Sequence, residues 1–172
     1  MNMENQYDDC FSQGRKMINL ELLNQNNESK VRKIRREDIP IWFVEDVSAT
    51  IELSKWGEEN NLRGHCYAIK YKDKYIGIVL IGEAIEDDAD PIDLKGTGYF
   101  RLLGFVIDKE YRGQGVGSKA LEKALNEIYC EYGAVPILLE CHKDNERAIK
   151  FYTKMGFRNT NILNNQDYFL IK

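Results

Sequence analysis

The residues most able to do chemistry lie between Arg101 and Phe157, and they centre on Arg112-Gly113-Gln114-Gly115-Val116-Gly117. Apolar residues precede this run and a helical pattern follows it, so it forms a loop at a helix entrance. Glycine removes the Cβ where backbone must approach a ligand. Successive N–H groups, aided by the helix dipole, can then hold a diphosphate. The loop reads as a pyrophosphate cradle, and the chain as an enzyme using a nucleotide-bearing cofactor. The same glycines would also serve a plain strand-to-helix turn, and Arg112 would either add charge or brace the loop.

Two familiar nucleotide motifs do not fit. The triphosphate loop needs Gly-x-x-x-x-Gly-Lys followed by Ser or Thr. The dinucleotide fingerprint needs Gly-x-Gly-x-x-Gly after the first strand. Here the glycines fall at 113, 115 and 117, then Ser118 and Lys119, behind several strands. His65 and His142 make no metal signature with the scattered cysteines. Cys141 sits on a core strand and need not be a nucleophile. The basic run from Lys30 to Arg36 has acidic neighbours and no interleaved aromatics, which suits a solvated helix better than nucleic acid.

The elements that position the loop follow from periodicity. Residues 1–16 are polar and aperiodic, and are expected to form a flexible N-terminal extension before one domain over 17–172. Ile18 to Leu22 alternates as an edge strand. Residues 27–38 suit a short helix, and a second runs from behind Ser48 to about Glu59 with Ile51 and Trp56 on its buried face. A hairpin over 66–72 and 75–83 turns at Lys72-Asp73-Lys74. An acidic loop over 84–97 leads to a strand near 99–108 and then the glycine loop. The helix from Val116 to about Tyr132 buries Leu121, Ala124, Leu125 and Ile128, and Gly133 ends it. A strand over Ile137 to Cys141, a helix capped by Asn145 and stopped at Gly156, and a hairpin around Asn164-Asn165 complete the chain.

Bulk properties narrow the class. A chain of 172 residues with 43% apolar content supports one domain with its own core. Its net charge of -4, from 28 acidic and 24 basic residues, excludes a general affinity for nucleic acid or anionic membrane and mildly favours cationic ligands. The four cysteines form no Cys-x-x-Cys pair, the first residues lack a signal peptide's apolar run, and no run is long enough to span a bilayer. A cytoplasmic protein with reduced thiols is the expectation.

With Asn145-Glu146-Arg147-Ala148-Ile149-Lys150-Phe151-Tyr152-Thr153-Lys154-Met155-Gly156-Phe157, the glycine loop resembles the two cofactor motifs of the GNAT N-acetyltransferase family, in order and spacing. The resemblance implies an α/β (α+β) fold, the GNAT-like acyl-CoA N-acyltransferase fold, with a mixed, mostly antiparallel sheet flanked by helices. It implies that acetyl-CoA enters a V-shaped opening between two splayed strands. Main-chain groups of Phe105, Val106 and Ile107 would lie beside its acetyl and pantetheine portions. N–H groups from Arg112 through Gly113, Gln114, Gly115, Val116, Gly117 and Ser118 would receive the diphosphate. Asn145 would make a polar contact, Ala148 and Phe151 would shape the wall, and Tyr152 would be the general acid for the leaving thiolate. Outside that motif, Tyr152 reads simply as a packed aromatic.

The family reaction is direct acetyl transfer to an amine, with a strand N–H stabilising the developing oxyanion. A small primary amine is the expected acceptor, and a di- or polyamine its narrower form. Bacterial polyamine acetyltransferases tend to carry a carboxylate where this chain has Leu103. Glu83 or Glu140, acting through water, are candidates for the base, which stays open. The acidic loop could steer polyamines or merely be solvated, and Glu45, Asp46, Trp42 and Phe43 could line the acceptor cleft or pack the fold. A protein or peptide acceptor and a non-catalytic acetyl-CoA-binding regulatory module are the alternatives. Homodimers are common in the family.

Overall fold

The computed structural model of the protein describes residues 17–172, so the expected extension over 1–16 lies outside the described residues. Alternating side chains make Ile18–Leu22 a strand, β1, with Ile18 buried and Asn19 exposed. The expected hairpin is β2 (Gly64–Tyr71) and β3 (Lys74–Glu83), joined through Lys72 and Asp73, with Lys72 in the left-handed region at φ 54°. Strands β4 (Phe100–Ile107), β5 (Ile137–His142), β6 (Arg158–Asn164) and β7 (Asp167–Ile171) complete one seven-stranded sheet ordered β1-β2-β3-β4-β5-β7-β6. β4 and β5 run parallel, and every other adjacent pair is antiparallel.

Among the described residues four α-helices cover the sheet: α1 (Glu28–Val31), α2 (Val47–Glu59), α3 (Val116–Tyr132) and α4 (Glu146–Lys154). The helix expected over 27–38 stops after one turn. Its continuation is drawn away by the segment after β4: the Arg35 N–H donates to Asp108 Oδ2 at 3.0 Å, and the Arg35 carbonyl accepts from the Lys109 N–H at 3.1 Å. The start of α2 is also corrected. Asp46, in an extended conformation, caps it by accepting from the Ser48 N–H. Ile51 is buried as expected, but Trp56 is 45% exposed. The apolar stripe of α3 is fully inside, and Gly133 closes that helix at φ 82°.

α3 and α4 pack on one face of the sheet, where Leu121, Leu125 and Ile128 meet Ile69, Ile76 and Val79. α1 and α2 pack on the other, where Val31 and Ile51 meet Ala68, Ile78 and Val106. A third cluster of Leu94, Tyr99, Leu138 and Phe169 seals the sheet beneath the acidic loop.

α2 lies close against the sheet at Gly104, where a Cβ would meet Thr50 Cγ2 at 2.6 Å and Oγ1 at 2.8 Å. Thr50 is 1% exposed and cannot swing away. Gly104→Ala is expected to destabilise the fold by about 1–3 kcal/mol. Gly57→Ala, inside the same helix with open space around its Cβ position, should stabilise by about 0.5–1 kcal/mol. Urea melts of both variants test this, and equal effects would refute the contact.

Candidate active site

β4 and β5 pair only at Phe100 with Ile137 and at Arg101 with Leu138. Beyond Arg101 no strand pairs with that edge of β4 among the described residues. The cause is visible one residue further on. Leu80 of β3 faces Gly104 and Ile81 faces Leu102, so Leu103 is an unpaired bulge residue. A bulge bends its strand and increases the local twist. The strands therefore diverge and open a cleft of about 740 Å³. Its walls come chiefly from β4, β5, α4, the segment 38–45 and Asp167 of β7.

The glycine loop lies where β4 ends. Asp108 is buried and accepts from Arg35 Nη2 at 2.9 Å, Arg35 Nε at 3.1 Å and the Glu110 N–H at 3.0 Å. Burial alone would raise this carboxyl, but the bonds from Arg35 and the two backbone amides outweigh it and hold the group below its ordinary range. Arg112 resolves to the bracing geometry. Its guanidinium donates to Ile107 O at 2.7 Å, Arg35 O at 3.2 Å and Asp38 Oδ2 at 2.6 Å. Gly113 and Gly115 adopt φ of +74° and +77°, with no atom within 4 Å of a built Cβ at either. The first N–H groups of α3 have no carbonyl one turn back, and the N-cap residue, Gly115, has no side chain to cap them. The outer surface of the loop is thus bare backbone at a helix N-terminus.

The cleft brings together part of the expected set. Phe105, Ile107, Ala148, Phe151 and Tyr152 line it. Phe105 and Phe151 stack at 5.8 Å, and Gly117 abuts both rings, connecting the cleft to the glycine loop. The Val106 side chain is buried against the α2 side, leaving its main chain on the cleft wall. Val116 is likewise in the core by its side chain. Asn145 lines the cleft, but its Oδ1 already caps α4 through the Ala148 N–H at 3.2 Å. Gly113, Gln114, Gly115 and Ser118 stand beyond the cleft wall, and the Gln114 Nε2 donates to Glu110 O at 2.8 Å.

Tyr152 is half-buried and packs edge-on against Phe151 and Phe157. Its hydroxyl has no hydrogen-bond partner among the described residues. Burial pushes the phenol up from its ordinary value, with the nearby Cys141 adding to the shift, so it holds its proton at neutral pH. The Cys141 thiol is itself pushed up to about 12 by burial and by the Asp167 carboxylate. A thiol so placed is not a neutral-pH nucleophile.

The acidic candidates divide differently from their sequence pattern. Asp90, in the acidic loop, is neither solvated nor offered to a ligand. It is 5% exposed and receives the Tyr99 hydroxyl and the Arg101 guanidinium. Burial and Asp90 push Tyr99 up to about 12. Glu140 accepts from Arg101 Nη1 at 2.9 Å and Asn164 Nδ2 at 3.3 Å. Glu83 pairs with Arg63 at 2.8 Å and stands outside the cleft. Phe43 lies tilted against the His142 ring at 5.3 Å, and Trp42 and Glu45 also line the cleft, whereas Asp46 serves the α2 cap. His142 and Asp167, both on the wall, had no acceptor role in the sequence reading. They are cross-strand neighbours on β5 and β7, and only strand register brings them together.

No metal-binding group of histidine, cysteine or carboxylates occurs among the described residues, and no helix there is long and apolar enough to cross a membrane. A family model described as Acetyltransferase (GNAT) family matches residues 29–157. The chain is 36% identical over 88 residues to N-alpha-acetyltransferase 30 of Schizosaccharomyces pombe, covering 49% of this chain and about half, 51%, of that protein. It is 24% identical over 144 residues to a probable spermine N(1)-acetyltransferase of Bacillus subtilis subsp. natto, covering 82% and 88%. Among solved structures, aminoglycoside acetyltransferase AAC(6')-Ib in complex with coenzyme A superposes with a TM-score of 0.69 at 18% identity, covering 91% of this chain and 94% of that one.

The Asp108 clamp makes a stability prediction. Its folded-state pKa lies below the unfolded value, so its contribution is present above about pH 4 and is lost as pH falls through the lowered folded value. Asp108→Asn should cost about 1–3 kcal/mol at pH 7, with the gap from wild type closing under acid. Urea melts at neutral and acid pH read this directly, and a pH-independent gap would refute it.

Proposed function

The chain belongs to the acetyltransferase (GNAT) family, and from that footing we propose that its cleft transfers an acetyl group from acetyl-CoA to a small primary amine. The protein is an acetyl-CoA-dependent N-acetyltransferase. The observation that carries our reading of the site is the unpartnered, half-buried Tyr152 hydroxyl on the cleft between β4 and β5.

The cradle fits the cofactor's diphosphate. Two glycines in left-handed conformation leave open space where a Cβ would stand, and the α3 N-terminus offers uncapped N–H groups. Backbone from Arg112 through Ser118 would hold the diphosphate. Phe105, Ala148 and Phe151, with the main chain of Val106 and Ile107, would hold the pantetheine portion along the unpaired edge of β4. Arg112 contributes by fixing the loop, and Asn145 by fixing the start of α4. When bound, acetyl-CoA supplies the acetyl group as a thioester.

Tyr152 keeps a proton at its hydroxyl, from which it would donate a hydrogen bond to the departing sulfur. A backbone N–H on the free edge of β4 is positioned to stabilise charge on the acetyl oxygen. The attacking amine must be neutral, because an ammonium has no lone pair, and its proton leaves to water. A di- or polyamine acceptor draws support from the resemblance to the spermine enzyme over most of both chains. A peptide N-terminus is the second reading, favoured by the higher identity to N-alpha-acetyltransferase 30 over a shorter span.

CoA release measured across polyamines, monoamines, aminoglycosides and peptides, with product mass confirmed, tests the acceptor class; turnover confined to peptides would overturn the small-amine reading. Tyr152→Phe should lower kcat about 10²-fold or more while CoA affinity holds. An unchanged single-turnover rate would remove Tyr152 from the chemistry. Gly115→Val forces a β-branched residue to φ +77°, at about 1–2 kcal/mol, and puts bulk on the cradle. CoA binding should weaken by about tenfold or more, and unchanged affinity in calorimetry would contradict close backbone approach.

A further inference from the structure

Two buried side-chain polar atoms lack any hydrogen-bond partner among the described residues, Arg36 Nε and Asp167 Oδ1. Of these two residues, only Asp167 lines the cleft. A carboxylate oxygen removed from water and given no donor is costly. The neighbouring charges do not relieve it. Asp38 and Arg112 pair with each other, and Glu140 pairs with Arg101. His142 lies cross-strand from Asp167, yet its side chain makes no hydrogen bond to the Asp167 carboxylate among the described residues, its Nδ1 accepting instead from the Asp144 N–H at 3.2 Å. Arg147, the remaining cleft cation, is exposed on α4, across the sheet.

Strand alternation fixes which side of the cleft Asp167 serves. Tyr168 and Leu170 of β7 pack towards α3, whereas Phe169 packs on the opposite face with Leu138 and Tyr99. Asp167 shares the face of Phe169. It therefore meets the cleft from the side opposite Tyr152, where the rings of Trp42 and Phe43 supply an apolar wall.

We propose that Asp167 binds a second ammonium group on the acceptor, making a small di- or polyamine the preferred substrate over a monoamine. The proposal rests on the small-amine reading of this cleft. The reacting nitrogen must be neutral to attack, so it gains little from a fixed carboxylate. A second nitrogen stays protonated, completes the unsatisfied Oδ1 and leaves its methylene chain against the aromatic wall.

The test is steady-state kinetics of the wild-type enzyme, Asp167→Asn and Asp167→Glu with 1,4-diaminobutane, spermidine and n-butylamine. Asp167→Asn keeps the side-chain shape and removes the charge. It should raise KM for the two polycations about 10- to 100-fold, the loss of one charge-assisted bond, with kcat little changed. Its kcat/KM for butylamine and its CoA affinity should match wild type, and Asp167→Glu should recover part of the loss. Equal effects on mono- and diamines, or no wild-type preference for diamines, would overturn the role of Asp167 and leave the small-amine reading intact. Wild-type turnover of peptides but of none of the three amines would overturn both.

Discussion

Two residue pairs join β4 to β5, and the cleft exists because the third does not form. A parallel pair separated by a helix is an ordinary unit that would normally zip along its whole length. Here α3 carries the chain across, while the Leu103 bulge turns β4 away after Arg101. The unpaired edge leaves main-chain groups unsatisfied, a cost the fold tolerates only where something else can bond to them. The same divergence leaves room for Phe151 and Tyr152 of α4 at the cleft. Filling position 103 with Leu places an apolar side chain, 36% exposed, at the bend itself. In the proposed reaction, Leu103 offers no carboxylate to take the amine's proton, which would pass to water.

The cradle depends on charges that never face it. Asp108 gathers Arg35, and Arg112 reaches behind the loop to Ile107, Arg35 and Asp38. These bonds span from the segment after α1 to the end of β4, some 70 positions apart in sequence, and they shorten α1 to achieve it. Arg35 and Arg112 are thus engaged in fixing backbone, and the diphosphate site we propose would be left to N–H groups. Backbone donors held in this way need no reorganisation when a ligand arrives.

The pattern-bearing parts were legible in the sequence. α3, from Val116 to Tyr132, announced itself by its stripe and its flanking glycines, and the hairpin of β2 and β3 by alternation around Lys72 and Asp73. The GNAT resemblance added the family, because its motifs are local in sequence. What stayed hidden is set by contacts between distant segments. The one-turn α1 follows from Asp108, the burial of Asp90 from Tyr99 and Arg101, and the meeting of Asp167 with His142 from the register of β5 and β7. A run of acidic residues looks solvated in sequence, and only a buried arginine on the adjoining strand reveals that one member is structural. The Asp46 cap was missed for a smaller reason: Asp46 and Ser48 are both good cap residues two positions apart.

The raised phenol of Tyr152 constrains how protons move. A group pushed above its ordinary value is a poor acid for outright transfer to a thiolate, whose conjugate thiol has a pKa near 8.5 as an approximate reference. It is a good hydrogen-bond donor to the same sulfur, because desolvation strengthens the bond while leaving the proton in place. Charge building on sulfur would first be met by the O–H dipole. The proton balance closes without an ionised tyrosine, since the nitrogen sheds a proton on becoming an amide and the sulfur ends with one. In the proposed reaction, burial would suit Tyr152 to stabilising the leaving group, and the neutral-pH rate would follow the fraction of acceptor that is unprotonated. That fraction is small for an alkylamine, so binding the acceptor through a nitrogen that need not lose its proton is the economical arrangement.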